Sequence, residues 1–464
     1  MSRIAEIAAA LAASVATPTA GSACKAVCSD KAATLSVEGA LAFLERLTDE
    51  AVVTQAERIA LRDALGRVLS EDIVSPVSVP PHDNSAMDGF AFDGALLPSA
   101  AADKAGTNDA QPDASLSLRI VGTALAGAAW RGPLAATDAV RIMTGAVMPA
   151  GLDTVVPQEF CQIEGGRISF PAKALRRGDN RRFAGEDLMQ GQPALMRGER
   201  LSPAALGMVA SLGLPMVPVV RRLRVAYFST GDEILTLGEA PRDGAVYDSN
   251  RYTLFGLLIR LGCEVIDLGL VRDDPIALSD TLRQAAREAD AIITSGGVSM
   301  GAADHTRAVM ERHGDIAFWN LAMRPGRPLA VGLIARVQND FVEAPALLFG
   351  LPGNPVAAMV TFLVLVRPAL LRMMGCHAAA SAPLPLLRAR SAGPIRKKPG
   401  RTEYQRGFVQ PKASGLPEVR IAGNQGSGVL SSMVEANGFV VLHHEQGSVS
   451  AGDEVDVMMF DGLI

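Results

Sequence analysis

Residues 290–304 constrain the fold of this chain more than any other stretch: Asp290-Ala-Ile-Ile-Thr-Ser295-Gly296-Gly297-Val298-Ser299-Met300-Gly301-Ala-Ala-Asp304. The apolar run 291–294 has the length and bulk of a buried strand. It stops at Ser295-Gly296-Gly297, where the missing Cβ atoms let the backbone turn sharply and approach a ligand. A helical pattern follows from Asp304, with Ala308, Val309 and His313 on one face. A strand running through glycines into a helix leaves N–H groups unpaired at the strand's carboxyl edge, which favours an anion. Read alone, the same residues also suit a plain Gly-Gly turn. Gly297-Val298-Ser299-Met300-Gly301 matches the G-x-S-x-G elbow of serine hydrolases. That elbow needs the strand to run straight into its first glycine, and two extra residues intervene here.

The region around this stretch alternates strands and helices. Strands are expected at 223–228, 264–268, 291–294, 329–333 and 347–349, with helices at 251–261, 277–288 and 356–373. Such alternation implies right-handed crossovers and a mostly parallel, doubly wound sheet. The loops at Asp232-Glu233, Ser295-Gly296-Gly297 and Pro352 then fall at one sheet edge, where ligands bind in open α/β folds. In Pro352-Gly353-Asn354-Pro355, Asn354 suits the N-cap and Pro355 the first helical position, leaving the N–H groups of Val356 and Ala357 free to face that edge. Upstream, Arg324-Pro325-Gly326-Arg327-Pro328 carries two guanidinium groups on a stiff turn. These suit a tetrahedral oxyanion, or they are solvated arginines of a Pro-Gly turn.

On either side the texture changes. Residues 1–35 are low in complexity and expected as a disordered extension. Residues 37–47 and 54–65 are patterned as helices. A β-rich stretch follows, inserted between two parts of an outer domain. It opens on Pro80-Pro81-His82-Asp83-Asn84-Ser85-Ala86-Met87-Asp88-Gly89, whose carboxylates can hold a cation or simply cap an Asx turn. After Gly375, short strands at 403–409, 418–421, 439–443 and 454–460 suggest a small β-barrel or sandwich.

Composition removes several classes of function. The 464 residues suffice for about three domains. A net charge of -5 argues against broad nucleic-acid or membrane-surface binding, so an anionic ligand needs a local basic pocket. Five scattered cysteines do not form a disulfide framework, and neither they nor the six histidines read as a structural metal site. The longest apolar run, 356–366, is too short to span a bilayer and is closed by Arg367-Pro368. The cytoplasm is the expected compartment.

Taken together and in order, six segments resemble the molybdopterin molybdenumtransferases, the molybdenum insertases of cofactor biosynthesis. They are Asp83-Asn84-Ser85-Ala86-Met87-Asp88-Gly89, Arg141-Ile142-Met143-Thr144-Gly145, Gly185-Glu186-Asp187, Ser229-Thr230-Gly231-Asp232-Glu233, Ser295-Gly296-Gly297-Val298-Ser299 and Leu351-Pro352-Gly353-Asn354-Pro355. The resemblance runs from about residue 37 to the C-terminus. It implies an elongated first domain (36–82 plus 185–222), an inserted β-rich domain (83–184), an α/β pterin-binding domain (223–376) and a C-terminal β-barrel-like domain (377–464).

It further implies a homodimer, with the active site where the α/β domain of one subunit meets the inserted domain of the other. The implied reaction inserts molybdate into adenylylated molybdopterin, with Mg2+, and releases AMP. Catalytic positions by this resemblance are Asp88, Thr144, Asp187, Glu233 and Asp273, with Glu186 beside them. Glu233, Asp273 and Asp304 are the implied magnesium ligands. The pterin and pyrophosphate fall along Ser295, Gly296, Gly297 and Ser299. Molybdate falls to Arg324, Arg327, Arg406, Ser427 and the turn of Pro352 and Pro355. Asn320, Arg324 and Arg327 stand where relatives often carry lysine, so Asn320 lacks a cation. Two other outcomes fit parts of the pattern: a non-catalytic pterin-binding scaffold, and a molybdopterin adenylyltransferase.

Overall fold

The computed structural model describes residues 2–14, 34–98, 115–297, 304–338 and 341–461. They fold as two compact units: Met1–Glu71 with Arg197–Ser202 and Met216–Ile464, and Asp72–Met196 with Pro203–Pro215. This division differs from the boundary placed at 83. The second unit takes in 72–82 and 185–196 as well as the expected inserted region, and within it Ile73–Val74 pairs with Pro193–Leu195.

The first unit is built on six long strands, β1 (Arg224–Thr230), β2 (Glu264–Val271), β3 (Ala291–Ser295), β4 (Gly314–Leu321), β5 (Pro328–Gln338) and β6 (Phe341–Leu351). With the two-residue strand Thr34–Leu35 they form one sheet in the order Thr34–Leu35, β4, β5, β6, β3, β1, β2. β1 pairs in parallel with β2 and β3, and β3 with β6; β5 runs antiparallel to β4 and β6. The sheet is therefore mostly parallel, as expected. Strand β3 is buried along its whole length, which explains why it reads as a continuous apolar run.

Alternate residues of β1 face two cores. Val225 and Tyr227 pack with Leu254 and Leu258 of helix α1 (Ser249–Leu261), while Ala226 and Phe228 pack with Leu278 and Leu282 of α2 (Pro275–Glu288). The start of α2 is set by sequence alone. Asp274 accepts from the N–H groups of Ile276 and Ala277, and Pro275 occupies the first turn. Helix α3 (Asp304–His313) follows β3, and α4 (Pro355–Met373) follows β6. Arg367-Pro368 does not end α4. The chain passes through a π-turn at Phe362–Val366 and continues to Met373. By length α4 can cross a bilayer, but 83% of its apolar window is buried inside the fold.

Chain order gives this sheet its switch point. From β1 the chain moves to β2 on one side, then returns past β1 to β3 on the other. Ligands bind at such a reversal, and Ser295-Gly296-Gly297 stands there. Gly296 and Gly297 have φ of 90° and 67°. A Cβ on Gly296 would lie 2.5 Å from the Thr230 carbonyl oxygen, and one on Gly297 would lie 2.9 Å from the Thr230 hydroxyl. The two strand ends are thus pressed together in a way only glycine permits.

C-terminal to α4, strands Thr402–Gln410, Glu418–Ile421, Leu387–Ser391, Glu454–Met459 and Gly438–Leu442 pair in that order, and the last returns to the first. This closed five-stranded barrel is the expected C-terminal domain. The second unit holds a six-stranded sheet in the order Thr154–Pro157, Gly89–Phe92, Asp138–Ile142, Ser115–Ala124, Arg167–Pro171, Gln162–Glu164. Phe90, Phe92, Leu118, Ile168 and Phe170 form its core.

Three expectations fail. Residues 54–65 are not helical: Ala56–Ala60 is a strand antiparallel to Met216–Val220, a ladder to distant sequence that overrides weak local propensity. The N-terminal extension is not disordered over Arg3–Ser14, which is a helix with Ile4, Ile7 and Ala8 buried. The Ile4 N–H donates to Asp315 Oδ2 at 2.9 Å. Residues 15–33 lie outside the described residues. Strand β4 was not foreseen, because His313-Gly314-Asp315 reads as a helix end.

Gly296→Ala is expected to destabilise the first unit by about 2 kcal/mol, since alanine must adopt a left-handed φ against a carbonyl. In thermal unfolding this lowers Tm by about 3 °C. An unchanged Tm would refute the close approach of the two strand ends.

Candidate active site

Strand directions gather the predicted loops at one edge of the first unit. Asp232-Glu233 follows β1, Asp273 follows β2, Gly296-Gly297 follows β3, and Pro352 follows β6, all at carboxyl ends of parallel strands. β4 also runs parallel to β6, through the antiparallel β5 between them. The turn from Arg324 to Arg327, which joins β4 to β5, therefore belongs to the same edge.

One side of this edge is acidic. Asp232, Glu233 and Asp273 are exposed, and the Asp273 N–H donates to Asp232 Oδ1 at 3.3 Å. Partial burial, then the charges of Asp232 and Glu233, raise the Asp273 pKa above its ordinary value. A carboxylate pushed up by like charges gains from a cation. Among the described residues no three acidic, histidine or cysteine side chains converge on one point. Glu233 and Asp273 thus offer part of a coordination shell, not a full protein cage. Asp304 is the first residue of α3. Ser299, the other predicted contact here, lies outside the described residues.

The other side is basic. Arg324 pairs alongside Glu403 in the strand Met323–Arg324, and Arg324 and Arg327 are both exposed. Neither they nor Arg406 has a carboxylate partner in an ion pair among the described residues. Arg406 is only 1% exposed. Its Nε donates to Ser432 Oγ at 3.0 Å and its Nη2 to the carbonyls of Asn424 and Gly426 at 3.0 and 2.9 Å. Burial, then the nearby Arg324, lower its pKa to about 10. Arg406 therefore acts first as the brace of the 424–428 turn, a role its surface-like neighbourhood in sequence does not announce. That turn carries Ser427, whose carbonyl accepts the Val356 N–H at 3.0 Å. The expectation of a free Val356 donor is thus corrected, and Asn354 makes no side-chain cap. Pro352 is buried and Pro355 opens α4, as expected.

Ser295 is also differently employed. Its hydroxyl is buried 2.7 Å from the Tyr227 hydroxyl, which lies 2.7 Å from Ser229 Oγ. Burial raises the Tyr227 pKa, so this cluster stays neutral. At this position the backbone turn, not the side chain, is left to face a ligand.

The second unit holds its own cleft, of about 660 Å3, lined by Asn84, Thr144, Arg182, Glu186 and Asp187. The Asp88 carboxylate accepts from the Thr144 N–H at 2.7 Å and the Thr144 hydroxyl at 2.8 Å. Those two bonds, the backbone one foremost, hold its pKa below the ordinary value. Asp83 receives the Ala184 N–H at 2.7 Å and the Arg181 guanidinium, and Glu186 receives the Phe183 N–H at 3.0 Å. Asp88, Thr144, Glu186 and Asp187 are thus brought together as expected. Arg182, Asp248 and Asn250 were not singled out from the sequence. For the last two, Asp248-Ser249-Asn250 before a helical run was a readable cap signal.

Comparison with known proteins agrees with the geometry. Residues 35–213 match the family described as MoeA N-terminal region (domain I and II). Residues 226–372 match a probable molybdopterin binding domain, and 388–460 the MoeA C-terminal region (domain IV). A molybdopterin molybdenumtransferase of Haemophilus influenzae is 40% identical over 89% of this chain and 95% of its own length. One from a Nostoc species is 36% identical over 87% and 88%. A solved molybdopterin biosynthesis moeA protein of Pyrococcus horikoshii superposes with a TM-score of 0.70 at 26% identity, covering 92% of this chain and all of that one. With three matched regions in the order the fold requires, the chain belongs to the molybdopterin molybdenumtransferase family.

Proposed function

We propose that the chain is a molybdenum insertase that takes molybdate into adenylylated molybdopterin and releases AMP. The observation that carries this reading is the split of charge along one sheet edge. Arg324, Arg327 and Arg406 have no carboxylate ion-pair partner among the described residues. A carboxylate whose pKa is raised by partial burial and then by its acidic neighbours stands at Asp273. A tetrahedral dianion suits the first group, since guanidinium presents several donors to oxyanions. Magnesium suits the second, because it takes one or two carboxylates and fills its shell with phosphate oxygens and water. Glu233 and Asp273 would hold it; when bound it neutralises charge on the phosphoanhydride.

The chain's own groups then have separable tasks. Gly296 and Gly297 give room for the pterin and pyrophosphate against the backbone. Arg324 and Arg327 gather molybdate, while Arg406 stiffens the turn that presents Ser427. Asp88, kept ionised by Thr144, is an acceptor able to hold or orient a proton or water beside the departing nucleotide.

A homodimer, acting in the cytoplasm, completes the proposal, with a second copy supplying the cleft of Asp88, Thr144, Glu186 and Asp187. Helix α1 supports it. Tyr252, Phe255 and Ile259, spaced three and four residues apart on one face, are each 45–51% exposed. An apolar stripe of this kind marks a protein interface.

In an assay with adenylylated molybdopterin, molybdate and Mg2+, AMP release is expected to depend on molybdate. Glu233→Ala should lower kcat by about a hundredfold or more without changing Tm, as removal of a group acting at the reaction does. AMP release independent of molybdate would overturn the insertase, and full activity in Glu233→Ala would remove that residue from the site. Phe255→Glu is expected to halve the mass seen by light scattering and to abolish turnover. A monomeric wild type with full activity would overturn the dimer.

A further inference from the structure

The turn that carries Arg324 and Arg327 is anchored at both ends by backbone bonds. Leu321 N–H donates to the Arg327 carbonyl at 2.7 Å, which closes the turn. Ala322 N–H donates to the Leu35 carbonyl at 2.7 Å, and the Ala322 carbonyl accepts the Thr402 N–H at 2.8 Å. Met323–Arg324 then runs parallel to Thr402–Glu403 of the barrel. Entry and exit are thus tied to the sheet edge, to the short strand at Thr34–Leu35 and to the barrel.

The tip rests on α4. Pro325 and Gly326 are buried while Arg324 and Arg327 on either side are exposed, so the tip is tucked inward and the arginines stay outside. Gly326 has φ of 95°. A Cβ on it would lie 2.4 Å from the Thr361 hydroxyl oxygen and 3.3 Å from the Ala357 carbonyl oxygen. Glycine is required there both by backbone conformation and by the close approach of the helix.

Thr361 is not explained by core packing. It is fully buried, and it is the sole polar side chain in 356–366. Valine, of the same branched shape, would fill the core equally well. At the next residue, Phe362, α4 passes into its π-turn, a deviation frequent at functional sites. The same helix opens at Pro355, beside the Pro352 turn. One element therefore sets both the turn at its own start and the stop beneath the arginines. Close-packed interiors transmit a displacement rather than absorb it. Because the two arginines flank the tip, lifting Gly326 off α4 moves both.

We propose that Thr361 is a positioning residue for molybdate: as the seat of Gly326, it sets where Arg324 and Arg327 meet the tetrahedral oxyanion. The inference rests on the insertase reading above. Thr361 acts only through the turn. Its test uses full-length protein, with kcat and the KM of each substrate taken from AMP release, and Tm measured alongside. The variants are Gly326→Ala, Thr361→Ala and the two combined.

Gly326→Ala is expected to raise the molybdate KM by about tenfold or more, as small misplacements of a positioned group do. The KM for adenylylated molybdopterin should stay within about twofold of wild type, since that substrate's binding is not what the turn supplies. Thr361→Ala, which loosens the seat, should raise the molybdate KM by about threefold. Removing the hydroxyl also makes room for the new Cβ, so the double variant should fall about threefold or more below Gly326→Ala, the non-additivity of residues in contact.

A lower Tm with an unchanged molybdate KM in Thr361→Ala marks a purely structural contact and overturns the inference, and that variant decides the matter alone if Gly326→Ala does not fold. Single effects that simply multiply in the double variant overturn it as well. Both results leave the insertase standing as long as wild-type AMP release depends on molybdate. A wild type without that dependence overturns the insertase reading and this inference with it.

Discussion

The parallel pairing of β1 with β3 is the constraint from which the rest of the first unit follows. Val225 to Ser229 run in register with Ala291 to Ser295, and both strands end together at the same edge. Because the next strands were added on opposite sides, the chain leaves that edge in two directions. Every loop with chemical content then opens there. The glycines after β3 are a direct result: two strand ends this close leave no space for a side chain between Thr230 and Gly296.

Charge is distributed along that edge by topology, not by sequence proximity. Acidic residues follow β1 and β2, on one side of the reversal. Arginines come from the β4–β5 turn and from the barrel, on the other. The chain as a whole is negative, so the dianion binding proposed above would rest on Arg324, Arg327 and Arg406, which have no carboxylate ion-pair partner among the described residues. Burial, and then the nearby Arg324, lower the Arg406 pKa. In the second unit the opposite rule applies: Asp83 and Asp88 are each tied by backbone and side-chain donors, which fixes them as charged acceptors.

Much of this was legible in the sequence because parallel strands buried on both faces leave an unmistakable texture. Ala291 to Ser295, the Asp274-Pro275 helix start and the short strands after Gly375 each announced their element. What stayed hidden depends on partners far away in the chain. Ala56–Ala60 becomes a strand only because Met216–Val220 lies beside it. Arg406 reads like any barrel arginine, and its burial arises from the turn folded over it. Ser295 looks like a ligand contact, yet its hydroxyl faces Tyr227 across the strand pair. The resemblance supplied the grouping of Asp88, Thr144, Glu186 and Asp187, which no local pattern links.

The hydrogen bond from Val356 to the Ser427 carbonyl has a consequence for how an oxyanion is recognised here. The start of α4 cannot act as an open row of amide donors, since its leading donor is already engaged by the barrel. On the proposed function, discrimination among tetrahedral anions falls instead to guanidinium spacing, set by the Arg324–Arg327 turn and the brace at Arg406. Under the insertase reading proposed above, such a site would separate a larger oxometalate from sulfate and phosphate by reach rather than by the number of backbone contacts.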